Sequence, residues 1–390
     1  MAGQPILVHK YGGSSVADVA KMKRVAALIA ARRAEGFGLV VVVSAMGDAT
    51  DELLALAKQV SANPPRRELD MLLTAGERIS MALLSMALIE GGTPAISFTG
   101  SQSGIITSHD HAQARIIDVR PTRIREELER GKVVIVAGYQ GVSEKREVTT
   151  LGRGGSDTTA VAMAAALGAQ ACEICSDVDG VFSADPRLVP SARKLELVAY
   201  EEMQELARCG AKVLNAAAVE FARGKAICVH ARSTFGGGTG TRILAAEGPA
   251  AICGIATDAE VALLEADPTA DPTSLLAFTA ERGAQARPLE RDASRPAWAL
   301  PTADLHDEAF AQELGRFGAT LIRDVARVSA VGRGAREPTV LARLREAARQ
   351  AGAEVLDVDA KPLSASIFVA KTKLTEVARA VHAALIEANR

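Results

Sequence analysis

Neither sign of charge dominates this 390-residue sequence: 45 Lys and Arg against 47 Asp and Glu leave a formal net charge of -2. That balance gives no reason to expect nucleic acid or an anionic membrane surface as a partner. Long apolar runs are missing too. Residues 1–9 hold no stretch long enough for a signal peptide, and no later run reaches about 18 residues without a polar interruption. The expectation is a soluble, cytoplasmic protein. Cysteine is sparse, with five residues (172, 175, 209, 228, 253), an odd set without an export signal, which argues for reduced thiols and against a disulfide framework. No Ser-His-Asp or Cys-His arrangement for nucleophilic catalysis stands out.

The 48% hydrophobic content is ample for burial, and the length implies more than one domain. Over the first 245 residues, β-branched apolar runs alternate with helix-period segments. Ile6–Val8, Leu39–Val43, Ala95–Phe98, Val133–Ala137, Ala171–Cys175 and Ala226–Val229 read as strands, and Asp18–Glu35, Glu68–Glu90 and Asp157–Leu167 as helices. Such alternation predicts an α/β fold, a largely parallel sheet sandwiched by helices, with ligands at the carboxyl ends of the strands. The glycines of Phe235–Thr241, followed by Ala245–Ala251, read as a boundary. Beyond it two small α+β units are expected, over 246–322 and 323–390. The last has a βαββα order through Val325–Val331, Thr339–Ala351, Glu354–Val358, Ser364–Ala370 and Leu374–Ile386, whereas Pro and Asp interrupt the periodicity of the first.

Chemistry concentrates in a few loops. Ile6–Val8 runs into His9-Lys10-Tyr11-Gly12-Gly13-Ser14-Ser15, a turn able to aim backbone N–H groups and Lys10 at phosphate, although it is not a Walker A loop and an ordinary tight turn would look similar. Thr149-Thr150-Leu151-Gly152-Arg153-Gly154-Gly155-Ser156-Asp157 follows the strand Val133–Ala137. There Arg153 suits a carboxylate, the glycines admit an anion, and Asp157 could cap a helix or orient a lysine. The loop Ser176–Arg187 holds Asp177, Asp179 and Asp185, carboxylates that could meet ribose hydroxyls or the water shell of Mg²⁺, though Asp-Gly and Asp-Pro are also plain turn pairs. Spacing alone does not select Glu77 in Thr74-Ala75-Gly76-Glu77-Arg78. Cys172 and Cys175 have CxxC spacing but fall on opposite faces of a strand, and His109-Asp110-His111 lacks further ligands, so buried cysteine and a polar loop are the better readings.

Together these segments resemble the aspartate kinases of the amino acid kinase family. The matching pieces are Lys10–Ser15, Val43-Ser44-Ala45-Met46, Thr74–Glu77, Thr149–Asp157, Ser176–Arg187 and Gly210-Ala211-Lys212-Val213-Leu214, in the expected order. The resemblance implies transfer of the γ-phosphoryl group of ATP, with Mg²⁺, to the β-carboxylate of L-aspartate, the first step toward lysine, threonine and methionine. It places Lys10 on the transferred group, positioned by Asp157, with Ser44, Gly12 and Gly13 around the phosphates. Thr50, Glu77, Tyr139, Arg153 and Ser156 would form the aspartate pocket, Glu77 meeting the amino group and Arg153 the α-carboxylate. Ser176, Asp177, Phe182, Arg187 and Lys212 would surround the nucleotide; metal ligands are unassigned.

The resemblance also implies paired C-terminal ACT-like domains and a homo-oligomer formed through them. Here the sequence departs from the family. Leu356–Leu363 replaces its effector-loop pattern, and Ala266–Pro272 replaces its Asp-Lys-Pro-Gly, so ordinary feedback inhibition is not expected. Asn215-Ala216 stands in place of His-Pro, which should loosen that turn. Competing readings are a kinase of the same fold acting on glutamate, N-acetylglutamate or carbamate, and a catalytically silent amino-acid binder.

Overall fold

The computed structural model describes residues 4–388 except 153, 249, 283, 291–294, 303–304 and 306–307. The chain forms two compact units that follow space more than chain order. The first comprises Met1–Val181, Lys194–Gln204 and Val213–Ala246; the second comprises Phe182–Arg193, Glu205–Lys212 and Glu247–Arg390.

In the first unit the strands are, in chain order, β1 (Ile6–Tyr11), β2 (Gly38–Val43), β3 (Ala95–Phe98), β4 (Ile105–Thr107), β5 (Ile116–Val119), β6 (Val133–Ala137), β7 (Gln140–Ser143), β8 (Val148–Thr150), β9 (Ala171–Ser176), β10 (Leu197–Ala199), β11 (Val229–Ser233) and β12 (Thr241–Leu244). Its eight-stranded sheet has the order β10-β12-β11-β9-β1-β2-β6-β3, and only β11 and β12 pair antiparallel. A four-stranded sheet, β5-β4-β7-β8, accompanies it. The helices include α1 (Val19–Ala34), α2 (Ala49–Val60), α3 (Arg66–Glu90), α4 (Thr122–Glu129), α5 (Gly155–Leu167), α6 (Tyr200–Arg208), which continues into the second unit, and α7 (Ala216–Lys225).

The strand period sorts side chains onto two faces. Leu7 and Tyr11 join Val25 and Ile29 of α1 and Leu84 and Leu88 of α3 in one core, while the intervening Lys10 reaches Asp157 on α5. Cys175 belongs to the first of these faces, three residues after Cys172, and all five cysteines are free. Burial pushes the Cys175 thiol up to about 12, so it stays protonated and packs as a small apolar group. By length and composition α3 could cross a membrane. In the fold one of its faces is packed inside, burying Asp70, Thr74 and Glu77 with Leu84 and Leu88.

The glycines that precede the expected boundary form the turn of the β11–β12 hairpin. His230 Nε2 lies 2.7 Å from the Thr239 carbonyl, and Thr241 Oγ1 accepts the Val181 N–H at 2.8 Å, which fastens the turn inside the unit. The chain leaves the unit at Ala246. Asn215 accepts the N–H of Ala217 at 2.9 Å and so caps α7; the helix start expected to loosen without proline is held by a cap instead.

The second unit is built on one six-stranded sheet. Its elements are β13 (Gly254–Ala266), α8 (Pro272–Glu281), β14 (Arg287–Pro288), β15 (Ala297–Pro301), α9 (Glu308–Leu314), β16 (Ala319–Val331), α10 (Pro338–Gln350), β17 (Asp357–Lys361), β18 (Ser364–Ala370) and α11 (Leu374–His382). The order is β14-β15-β13-β16-β18-β17, all antiparallel. The long strands β13 and β16 run the length of this sheet and change register between Asp258 and Leu263. Either side of that shift lies a separate core, one around Leu264, Trp298 and Phe310, the other around Val328, Leu344 and Val377.

Candidate active site

Three neighbouring parallel strands, β9, β1 and β2, end side by side, and their loops interlock. Gly12 N–H donates to the Cys175 carbonyl at 3.2 Å, Ser44 N–H to the Tyr11 carbonyl at 3.1 Å, and Gly47 N–H to the Gly13 carbonyl at 3.2 Å. A Cβ on Gly13 would lie 2.9 Å from the Ala45 carbonyl oxygen, so glycine is needed where the two turns touch. From the sheet side Ser15 Oγ shares a 2.6 Å hydrogen bond with Thr234 Oγ1, whose backbone N–H donates to the Ser176 carbonyl at 2.7 Å. Thr234 was not apparent from sequence. It sits past the end of β11 (Val229–Ser233), which begins where the strand expected at Ala226–Val229 ends.

At the centre, Lys10 Nζ lies 2.7 Å from Asp157 Oδ1, both side chains nearly buried. Asp157 Oδ1 nonetheless has no aligned hydrogen-bond partner, so this is an ion pair by distance and charge rather than a directed hydrogen bond. Asp157 does not cap α5: the cap position is Gly154, in the left-handed conformation and without a side-chain cap bond. The reading of Asp157 as lysine partner therefore prevails over that of helix cap. Ser156 is buried beside it, its Oγ 2.7 Å from where a Cβ on Gly138 would stand.

Glu77 enters from α3. Gly76 allows the helix to approach Ala45 so closely that a Cβ there would meet the Ala45 Cβ at 2.8 Å. Glu77 Oε1 then accepts the Ala45 N–H at 3.1 Å, while Oε2 is buried with no hydrogen-bond partner among the described residues. Burial drives the carboxyl up to about 7 against the pull of its backbone hydrogen bonds. An unsatisfied buried carboxylate oxygen suits a cationic ligand. Thr50 stands half-buried in the first turn of α2, and Tyr139 takes a left-handed backbone (φ 66°) after β6, with its N–H on Thr159 Oγ1 at 3.2 Å. Ser44 is half-buried, Ser176 Oγ accepts the Val178 N–H at 3.2 Å, and Asp177 is exposed.

Arg153 falls outside the described residues. Phe182, Arg187 and Lys212 belong to the second unit. There Arg187 forms a fork on Asp185, with Nε–Oδ1 at 3.0 Å and a terminal nitrogen to Oδ2 at 2.7 Å, and Lys212 is exposed just after Gly210. Among the described residues no group of three His, Cys, Asp or Glu could hold a metal.

Residues 5–233 match the amino acid kinase family. Over nearly the whole chain, 97% of it and 95% of the relative, the sequence is 43% identical to the aspartokinase of Corynebacterium efficiens. The chain belongs to the aspartokinases of the amino acid kinase family. It is also 61% identical to the aspartokinase of Mycobacterium tuberculosis over 240 residues, a match spanning 61% of this chain and 57% of that relative. The fold is that of the crystal structure of E. coli aspartokinase III in complex with aspartate and ADP, with a TM-score of 0.83 at 22% identity, over 97% of this chain and 99% of that one.

Proposed function

We propose that this family member is an ATP-dependent aspartate kinase that converts the β-carboxylate of L-aspartate to 4-phospho-L-aspartate, serving lysine, threonine and methionine biosynthesis in the cytoplasm. The observation that carries the reading is the Lys10–Asp157 pair at the carboxyl ends of parallel strands, flanked by the glycine turn at 12–13 and by the buried carboxylate of Glu77. An acceptor carboxylate with an ordinary pKa near ~3.9 is already ionised at neutral pH and needs no general base. The barrier is the approach of two anions. Positive charge, backbone N–H groups and alignment therefore carry the reaction.

In this scheme a β-carboxylate oxygen attacks the γ-phosphorus in line as the bond to the bridging oxygen breaks, and ADP departs with that electron pair. Lys10 Nζ neutralises the transferring group, and Asp157 keeps the ammonium in place. Ser44, Gly12 and Gly13 hold phosphates. Glu77 Oε2 receives the substrate ammonium, with Thr50, Tyr139, Ser156 and Arg153 completing the pocket by resemblance; Ser176, Asp177, Phe182, Arg187 and Lys212 are assigned to the nucleotide on the same basis. Mg²⁺ prefers oxygen ligands and usually keeps several waters, so bound together with the nucleotide it would offset phosphate charge; no residue of the chain is assigned to it.

The second unit is assigned as two ACT-like lobes, 246–322 and 323–390, that pair copies of the chain. Its altered loops at Ala266–Pro272 and Leu356–Leu363 support weak or absent inhibition by lysine and threonine. The test is hydroxylamine trapping of acyl phosphate with ATP, Mg²⁺ and aspartate, glutamate or N-acetylglutamate. Product with aspartate alone supports the reading, and no product from folded protein overturns it.

A further inference from the structure

Helix α3 presents Asp70, Thr74 and Glu77 at helical spacing on one buried face. Glu77 holds the loop after β2 through the Ala45 N–H, and the Thr74 carbonyl accepts Gln140 Nε2, at the start of β7, at 3.1 Å. Asp70 has no part in the scheme above, yet it is fully buried and spends both oxygens on distant chain. Oδ1 accepts Thr150 Oγ1 at 2.6 Å and the Ala112 N–H at 3.0 Å, and Oδ2 lies 2.6 Å from His111 Nδ1. The Ala114 N–H donates to the Thr150 carbonyl at 2.9 Å, and Thr107 Oγ1 meets Thr149 Oγ1 at 2.6 Å. Ala112 is held at φ 68°, and its carbonyl oxygen stands 3.5 Å from where a Cβ on Gly152 would be.

Burying a carboxylate costs more than burying an apolar side chain of the same size, even when it is paired and hydrogen-bonded. A strained alanine adds to that cost. Both meet at Asp70 Oδ1, which also accepts Thr150 Oγ1; Thr150 is the last residue of β8, from which the chain passes through Leu151 and Gly152 to Arg153. We propose that Asp70 and His111 are positioning residues: His111 donates Nδ1–H to Asp70, Asp70 fixes Thr150, and the pair thereby sets where the glycine-rich loop presents its groups to the amino-acid substrate. This rests on the aspartate-kinase reading and adds to it a task for His111.

The test compares wild type, His111→Ala, His111→Asn and Asp70→Asn, each checked for folding by its melting transition, in KM for aspartate, KM for ATP and kcat. The asparagine amide can replace the Nδ1–H donor, whereas alanine cannot. His111→Ala and Asp70→Asn are expected to raise KM for aspartate about tenfold while KM for ATP stays within about twofold, and His111→Asn to recover most of the loss. Equal shifts in both KM values, no shift in KM for aspartate, or an asparagine variant no better than alanine overturns the inference. Wild-type turnover with aspartate separates the two levels. Its absence overturns the parent reading and this one with it; its presence with an unshifted variant KM overturns this one alone.

Discussion

Glu77 holds the Ala45 N–H at 3.1 Å with one carboxylate oxygen and leaves the other buried, without a partner among the described residues. Such a group wants a cation, and burial lifts its pKa to about 7. Binding of a substrate ammonium should favour the ionised form. KM for aspartate is therefore expected to fall as pH rises from about 6 to about 8, through the pKa of the free enzyme. A Glu77→Gln variant should bind aspartate weakly at every pH and lose this limb. A pH-independent KM in the wild type would remove Glu77 from the amino-acid pocket.

Lys10 and Asp157 make a second expectation. If Lys10 neutralises the transferring phosphoryl group, Lys10→Ala should lower kcat by about 10²–10³, the size of effect seen when a preorganised charge or donor is removed. Asp157→Asn keeps the shape and loses the charge, so its kcat should fall by less than that of Lys10→Ala. The double variant should be close to Lys10→Ala alone, since the two act as a unit. Steady-state rates with folded variants decide this, and near-normal turnover of Lys10→Ala would sink the mechanism.

Stability against pH carries an independent signature of two buried groups. His9, on the opposite face of β1 from Lys10, is pushed down to about 4, chiefly by burial; Glu173 lies 3.6 Å from it, so at neutral pH the two do not form an ion pair. A depressed histidine leaves stability full above about pH 6.5 and removes about 3 kcal/mol as pH falls to about 4. Glu77 works in the other direction. Its contribution is full below about pH 4.5 and declines by about 3 kcal/mol as pH rises to about 7, because the folded state then holds the extra proton. Between about pH 4.5 and 6.5 the two slopes oppose. Denaturant melts should show His9→Gln losing stability as pH rises through that window and Glu77→Gln gaining it.

How much of this was legible beforehand depended on local pattern. Val40–Val43 and Val133–Val136 are wholly buried, and fully covered parallel strands read as unbroken apolar runs. The strand after α7 was placed too early, at Ala226–Val229. Ala226 instead takes the left-handed C-cap position, and the true strand Val229–Ser233 carries polar His230 and Arg232. β17 was displaced for a related reason. It buries Asp357 and Asp359, the latter accepting the Glu290 N–H at 2.8 Å, so its inward face is acidic and no hydrophobic alternation marks it. Within the site, Lys10 and the glycine turns announced themselves through composition. Glu77 and Asp70 did not, because a buried carboxylate on a helix looks like a solvated face until its partners, dozens of residues away, are known; nor did Thr234, whose partner Ser15 is distant in the chain.

Gly154 against Asn215 offers a final quantitative check. Gly154 has φ 72°, and a Cβ there would lie 2.4 Å from the Cβ of Asn215, the residue that caps α7. Gly154→Ala therefore meets two separable penalties, a left-handed backbone costing about 1–2 kcal/mol and a collision. Asn215→Gly alone should cost only a few tenths of a kcal/mol as a cap change. Combined, the two substitutions remove the collision and leave the backbone strain, so the double variant should be more stable than Gly154→Ala alone. If denaturant melts gave additive losses instead, the contact between the glycine-rich loop and the start of α7 would not be the close one seen here, and the cap at Asn215 would have no part in holding that loop.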